Sequence, residues 1–335
     1  MISVPGAPQI DGLKFRRFAE VADYSAMSAV GRKSFTADRI DFFETAEDIS
    51  NDFENSPGRD PHTDVILAEV GGELVAYGRV WSDPGEKGER EFWHVAHVVP
   101  ERRNTDLRLA LLHFNEKQII SMAEGRGLTG PHTCKVWALD EPNDWRELIH
   151  AEGYRPVMHF YEMVRPNLNR IPSAPLPEGL ELRPAKPEDY SKIWTASKEA
   201  FRGKPWFVEA YYDREFYDAW LKSSTFQPDL WAVAWDGDEV AGMARNEIPV
   251  DENRELKRNR GHTQHLSVMP KWRRKGLGRA LLAESLKMMR EKGLDEASLD
   301  VETQSTTGEV QLYQSMDYAI HRKYAHFMKR LTKTD

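Results

Sequence analysis

The pattern of apolar and polar positions changes period in the last third of the chain. A strand-like apolar run ends at Pro270. Arg279-Ala280-Leu281-Leu282 then opens a helical pattern that continues to about residue 292, where Gly293 stops it. Leu299-Asp300-Val301-Glu302 reads as the next strand, and Val310–Tyr318 as a further helix running into a turn. Between the first strand and its helix lies a basic turn, Lys271-Trp-Arg-Arg-Lys-Gly-Leu-Gly278. That order aims the free amides of a helix N-terminus at whatever lies above the turn. Such amides lack internal partners and the helix dipole favours negative charge, so the place suits a phosphate or pyrophosphate. Gly276 and Gly278 allow close backbone approach, with no Cβ in the way. A solvated basic turn is the plainer alternative. The turn has neither the Gly-Lys-Ser/Thr of a P-loop nor the G-x-G-x-x-G of a dinucleotide fold.

The chain also repeats itself. Setting Pro100 on Pro270 brings Arg103 onto Arg273, Leu107 onto Leu277 and Ala110-Leu111-Leu112 onto Ala280-Leu281-Leu282. Gly72–Ala76 matches Gly237–Ala241, Gly12–Arg16 matches Gly179–Arg183, and Glu152-Gly153-Tyr154 matches Met316-Asp317-Tyr318. Anchors at offsets of 164 to 170 residues imply a tandem duplication. The pattern divides the chain into a first domain at 8–165, a linker at 166–178 and a second domain at 179–335. Four prolines between Arg165 and Gly179 resist helix and central strand, so the linker is expected to be extended and fairly stiff. The copies are not equivalent. Where the second has Gly276 and Gly278 the first has Asp106 and Arg108, a carboxylate on an anion site and two side chains that block backbone approach. At the position of Tyr313 the first copy has Ile149, which cannot exchange a proton. The first half is expected to keep its fold and to lose ligand binding and catalysis.

The spacing Arg273-x-x-Gly276-x-Gly278, preceded by Val268-x-Pro270, resembles the acetyl-CoA motif of the GNAT superfamily of N-acetyltransferases. Val310–Tyr318 resembles its closing signature, a helix with Leu-Tyr followed shortly by Gly-Phe or Gly-Tyr. Here Asp317 replaces the usual Gly, and Thr306 stands where the family commonly has Asn. The resemblance implies an α/β (α+β) chain of two tandem GNAT-fold domains, each a mixed, largely antiparallel sheet flanked by helices. Tandem organisation with one degenerate half is similar to enzymes of the mycothiol synthase type and to some antibiotic acetyltransferases. The resemblance further implies acetyl-CoA as cosubstrate, with no metal. The residues it assigns to the cosubstrate are Leu266, Val268, Arg273, Arg274, Lys275, Gly276, Leu277, Gly278 and Arg279.

Acetyl transfer to an amine needs a neutral amine, a polarised thioester carbonyl and a proton for the departing thiolate. The family uses direct attack without an acyl-enzyme, and the second half has no cysteine. A family base lies eleven positions before the first motif residue, which here is His262. Strict alternation puts His262 and Val268 on one face and His265 on the other, but a bulge would bring His265 inward. Glu302 and Glu247 are further candidates. Tyr313 matches the family tyrosine near the CoA sulfur, and a phenol is protonated at neutral pH. Backbone N–H groups near Leu266 to Val268 would polarise the carbonyl. In this fold the first helices line the acceptor side. That stretch interleaves Trp206, Tyr211, Tyr212, Phe216, Tyr217 and Trp220 with Glu209, Asp213, Glu215 and Asp218. It reads either as a clasp for an organic cation or as an amphipathic helix burying an aromatic stripe.

Net charge of −8 argues against a general nucleic-acid binder and fits cationic acceptors such as amines. No stretch reaches the roughly 20 apolar residues of a membrane span, and the first residues lack the features of a signal peptide. Cys134 is the single cysteine, which fits a reducing cytoplasm and reads as a buried thiol more readily than a nucleophile. A monomer and a homodimer both remain open. Two functional classes result: an acetyl-CoA-dependent N-acetyltransferase of a small amine or peptide, or a non-catalytic acyl-CoA-binding regulatory module.

Overall fold

In the computed structural model, residues 2–85, 89–204, 206–304 and 308–332 are described. The chain forms two compact units, Met1–Val157 with Ala325–Asp335, and Met158–Tyr324. In chain order the first half contributes β1 (Leu13–Arg17), α1 (Ala22–Ala37), α2 (Ala46–Asn55), α3 (Pro61–Asp64), β2 (Val65–Val70), β3 (Glu73–Pro84), β4 (Arg90–Val98), α4 (Leu107–Gly125), β5 (His132–Leu139), α5 (Asp144–Ala151) and β6 (Arg155–Arg165). The second contributes β7 (Glu181–Leu182), α6 (Tyr190–Phe201), α7 (Arg214–Trp220), β8 (Ala232–Asp236), β9 (Glu239–Glu247), α8 (Val250–Glu255), β10 (Arg260–Val268), α9 (Leu277–Glu291), β11 (Glu296–Glu302), α10 (Glu309–Gln314) and β12 (Ala319–Leu331).

Each unit is a mixed, mostly antiparallel sheet with helices on its faces. In the first, β1 through β4 pair antiparallel in sequence order and β5 joins β4 in parallel. In the second, β7 through β10 do the same and β11 joins β10 in parallel. The helices form where apolar residues recur at helical spacing. Leu277, Leu281, Leu282, Leu286 and Met289 of α9 are buried on one stripe, and Leu107, Leu111 and Leu112 open the matching stripe of α4. In the second unit α6 covers one face of β9 and β10, and α9 covers the other.

The units divide the chain differently from the boundaries read in the sequence. Residues 158–165 of β6 run beside β11 in the second unit, with Ala297 opposite Arg165 and Glu302 opposite Phe160. The final strand closes the first unit, where residues 325–331 lie next to β5. Side-chain burial explains the exchange. Met163 belongs to the second core, whereas Ala325, Phe327 and Leu331 belong to the first. The proline-rich segment contains no regular element, yet it is not a free spacer. Leu168 is buried in the second core, with Ile171 and Ala174 packed against it.

Candidate active site

β10 contains the bulge that strict alternation leaves out. Thr263 pairs with Asn246 and His265 with Arg245, so Gln264 is the extra residue. The bulge reverses the parity of everything after it. His262 pairs with Glu247 and His265 with Arg245, and since Glu247 and Arg245 share a face, so do the two histidines. Val268, paired with Gly242, lies on the opposite face, toward α9. The expected grouping of His262 with Val268 is thereby overturned.

At the same point β10 leaves β11. The parallel pairing covers only Arg260–Thr263 against Glu296–Leu299, and the rest of β10 pairs with β9 alone. The Met269 N–H donates to the Ala241 carbonyl at 2.9 Å. Peptide groups alternate sides along a strand, so those of Leu266 and Val268 point away from β9 into the splay. The turn follows. Gly276 sits at φ +88° as the N-cap of α9, a conformation costly for any residue with a Cβ. The first α9 amide with an internal partner is that of Ala280, bonded to the Gly276 carbonyl at 3.0 Å. Leu277, Gly278 and Arg279 therefore present the orphan amides of the helix start. A Cβ on Gly278 would lie 3.5 Å from Leu312 and 3.7 Å from Val268, so that space belongs to the groove between strand and helix.

The basic residues divide their work. Arg273 is committed to the protein: it donates to the Val268 carbonyl at 3.1 Å and to the Ala200 carbonyl at the end of α6 at 2.7 Å. Arg103 does the same in the first unit, donating to the Ser34 carbonyl of α1 at 2.7 Å. This shared pairing makes Arg273 a tie between turn and helix. Arg279 bonds the Ser315 hydroxyl at 3.0 Å, and Lys275 lies over the Trp272 ring at 4.6 Å. Arg274 takes a left-handed conformation, φ +60°.

The two histidines differ in what they can do. His262 Nδ1 lies 3.0 Å from the Ser298 hydroxyl, and its Nε2 lies 3.7 Å from Asp300 Oδ2. Burial lowers the His262 imidazole to about 4, so it is neutral and able to accept a proton at physiological pH. His265 is not placed as a base, because Arg245 donates to its Nδ1 and leaves the ring with its proton on Nε2. Asp300, missed by sequence reading, faces His262 and accepts a 3.1 Å hydrogen bond from Tyr324; burial raises its carboxyl to about 6. The signal was present as alternation, since Ser298, Asp300 and Glu302 share one face of β11. Glu302 is buried and accepts from the Gln304 N–H at 2.5 Å; Glu247 accepts from the Gln264 amide at 2.9 Å.

Tyr313 is buried on α10, and burial pushes its phenol above the ordinary value, keeping it protonated. Asp317 fills the left-handed position the family gives to Gly, with φ +62°, as Gly153 does in the first unit at +91°. Aspartate tolerates that conformation, and its carboxylate meets Arg165 at 3.0 Å. Thr306 lies outside the described residues. The aromatic stretch is a single turn, Glu209–Tyr212, followed by the short α7, not one long amphipathic helix. Trp194, Tyr212, Tyr217 and Trp220 pack on one another with ring centroids 4.9–5.8 Å apart. The carboxylates are largely engaged: Glu209 with Lys198, Asp213 as the cap of α7, and Asp218 with Arg214. A clasp for an organic cation is not built here.

In the first unit the equivalent cleft is filled by protein. Asp106 precedes α4 with φ −72°, so the left-handed turn is absent. Arg108, at the place of Gly278, is buried and donates from Nε to the Ala96 carbonyl at 2.9 Å. Its guanidinium lies 4.5 Å from the Trp145 ring centroid and pairs with Asp144 at 3.4 Å and Asp38 at 3.7 Å. What remains is a cavity of about 20 Å³ between Phe35, His97, Arg108 and Trp145, room for about one water. β4 has no bulge, and register places Trp93 and Val95 where the second unit has His262 and His265. Ile149 is fully buried in the core.

Residues 190–318 match the acetyltransferase (GNAT) family. The chain is 28% identical over 267 residues to a mycothiol acetyltransferase of Geodermatophilus obscurus, covering 77% of this chain and 79% of that one. Its fold is shared with a GCN5-related N-acetyltransferase from Sphaerobacter thermophilus, at a TM-score of 0.73 and 23% identity over 96% of each chain. It is shared also with a tandem GNAT protein from the clavulanic acid biosynthesis pathway, at a TM-score of 0.70 and 14% identity over 96% of this chain and 100% of that one. Strand splay, glycine turn and these likenesses agree: residues 190–318 match the GNAT family, and the chain, an acyl-CoA-dependent N-acetyltransferase, is similar in fold to tandem GNAT proteins.

Proposed function

We propose that the second unit moves an acetyl group from acetyl-CoA to a primary amine of a small molecule or peptide by direct attack, with the first unit as scaffold. The observation that carries this reading is the contrast at one position. Gly278 has no side chain to cover the Leu266 carbonyl, whereas Arg108 occupies the carbonyl of its counterpart Ala96. The pyrophosphate would lie on the amides of Leu277, Gly278 and Arg279, with Arg274 and Lys275 adding positive charge. The pantetheine arm would run along Leu266 and Val268, whose N–H groups would polarise the thioester carbonyl.

In this scheme the amine nitrogen forms its bond to the carbonyl carbon as the carbon–sulfur bond breaks. The amine's proton leaves to His262, whose imidazolium is steadied by Asp300 at 3.7 Å. The thiolate takes its proton from Tyr313. Calorimetric titration of acetyl-CoA tests the assignment of domains. One site per chain is expected, lost when Gly276 and Gly278 are both replaced by valine. Two sites, or one that survives the double substitution, would overturn it.

A further inference from the structure

Arg245 is a cation that the protein buries and does not pair. It is 5% exposed, on the α6-facing side of β9. Its guanidinium lies over the Trp220 ring at 5.2 Å and gives one hydrogen bond, to His265 Nδ1, while Nε is buried without a partner. Among the described residues no carboxylate forms an ion pair with it; Tyr212, and Glu247 two residues along the strand, act on it through space. Burial therefore dominates and lowers the guanidinium to about 10. Buried charges in folded proteins are paired, since an uncompensated one loses its hydration for nothing in return. Arg103 and Arg108 in the first unit obey that rule, each with Asp38 and Asp144 as partners. Arg245 departs from it in the second unit, beside the proposed base strand.

We infer that Arg245 is the receptor for a carboxylate on the acceptor, so that the substrate class is amines bearing a carboxylate, namely amino acids or peptides with a free C-terminus. This rests on the N-acetyltransferase reading of the second unit. The guanidinium fork matches a carboxylate, and Trp220 covers one of its faces. The Arg245 bond to Nδ1 fixes His265 with its proton on Nε2. Apolar surface borders the guanidinium's partners: Trp194 packs on Trp220, Tyr212 on Trp194, and Phe201 on His265. The acceptor is thus held by its anionic end while the amine reaches His262, on the same face of β10.

The test compares amines differing only in that group: L-phenylalanine with L-phenylalaninamide, and glycylglycine with glycylglycinamide, each with acetyl-CoA. Wild type should prefer the free acid at least tenfold in kcat/KM. Arg245→Gln should abolish the preference by raising KM for the acid, with kcat and acetyl-CoA affinity retained, and Arg245→Lys should restore part of it. Melting temperature gives a readout that needs no turnover. Sodium N-acetylglycinate should stabilise wild type beyond sodium chloride of equal ionic strength and leave Arg245→Met unaffected, and Arg245→Met should melt no lower than wild type without ligand. Equal use of acid and amide, a preference that survives Arg245→Gln, or a large fall in melting temperature for both Met and Gln variants would overturn the inference. Acetyl-CoA titration separates the two claims. If acetyl-CoA binds and amides are acetylated as well as acids, the enzyme reading stands and the carboxylate receptor falls; if acetyl-CoA does not bind, the enzyme reading falls.

Discussion

The copies of the strand–turn–helix element, Val98–Leu107 and Val268–Leu277, start from the same proline and share the same arginine tie to the first helix of their unit. Beyond that they part. In the second, Gly276 at φ +88° turns the backbone so that free amides head α9, and Gly278 leaves the strand edge uncovered. In the first, the turn keeps φ negative at Asp106 and Arg108 spends its guanidinium on the edge carbonyl, two carboxylates and a tryptophan. Under the proposed division of labour, a ligand cleft in this fold is lost by being filled. A side chain that satisfies the backbone groups the ligand would have satisfied stabilises the apo protein and removes the site together.

The comparison breaks most sharply if the plug is transplanted. Gly278→Arg should abolish acetyl-CoA binding in calorimetry, a loss of at least 100-fold, while the circular dichroism spectrum is kept. Withdrawing the plug should show its structural cost. Arg108→Gly leaves Asp38 buried beside Arg103 alone, and should cost about 3–5 kcal/mol in denaturant unfolding without creating a second acetyl-CoA site. Next is the acid. Tyr313→Phe should lower kcat by about 100-fold with acetyl-CoA affinity unchanged, roughly 2.7 kcal/mol of transition-state stabilisation, whereas Ile149→Tyr in the first unit should change nothing in turnover.

The smallest effect separates the units by pH. His94 and His97 are buried in the first unit, and burial lowers each to about 3. The unfolded chain binds protons on them near 6.5 and the folded one does not, so stability is full above that value and falls as pH drops toward 3. Between pH 7 and 5 each should cost about 2 kcal/mol, and His97→Phe should remove its share from the pH dependence of unfolding. Catalysis should respond to a different pair. With His262 near 4 and Asp300 near 6, kcat/KM should fall only on the acid side, its limb between those values.

The parts of the site that depend on neighbours along the chain were legible in the sequence. The glycine turn, the helix start, Tyr313 and the degenerate counterparts Asp106, Arg108 and Ile149 could all be placed from spacing and repetition. What depends on a partner far away could not. A period-two reading puts His265 opposite His262, and only the insertion of Gln264 against β9 reverses it. The tie of Arg273 to the Ala200 carbonyl has no signal in the motif that contains it. Arg245 carries no local signal, because an isolated arginine in a strand looks alike whether it is solvated or buried on a tryptophan. Asp317 reads as a defect in a motif, and its left-handed backbone and bond to Arg165 show it as a replacement of equal geometry.

The exchanged strands carry a consequence for how such a chain can evolve. Each unit is completed by a segment encoded in the other half, residues 158–165 for one and 325–331 for the other. A deletion that removed the first half would take with it a strand of the second and the buried Met163 that helps close its core. A duplicate gene segment that loses its chemistry is ordinarily free to decay. Here residues 158–165 complete the sheet of the second unit, so under the proposed division of labour selection on that unit also maintains the end of the first half.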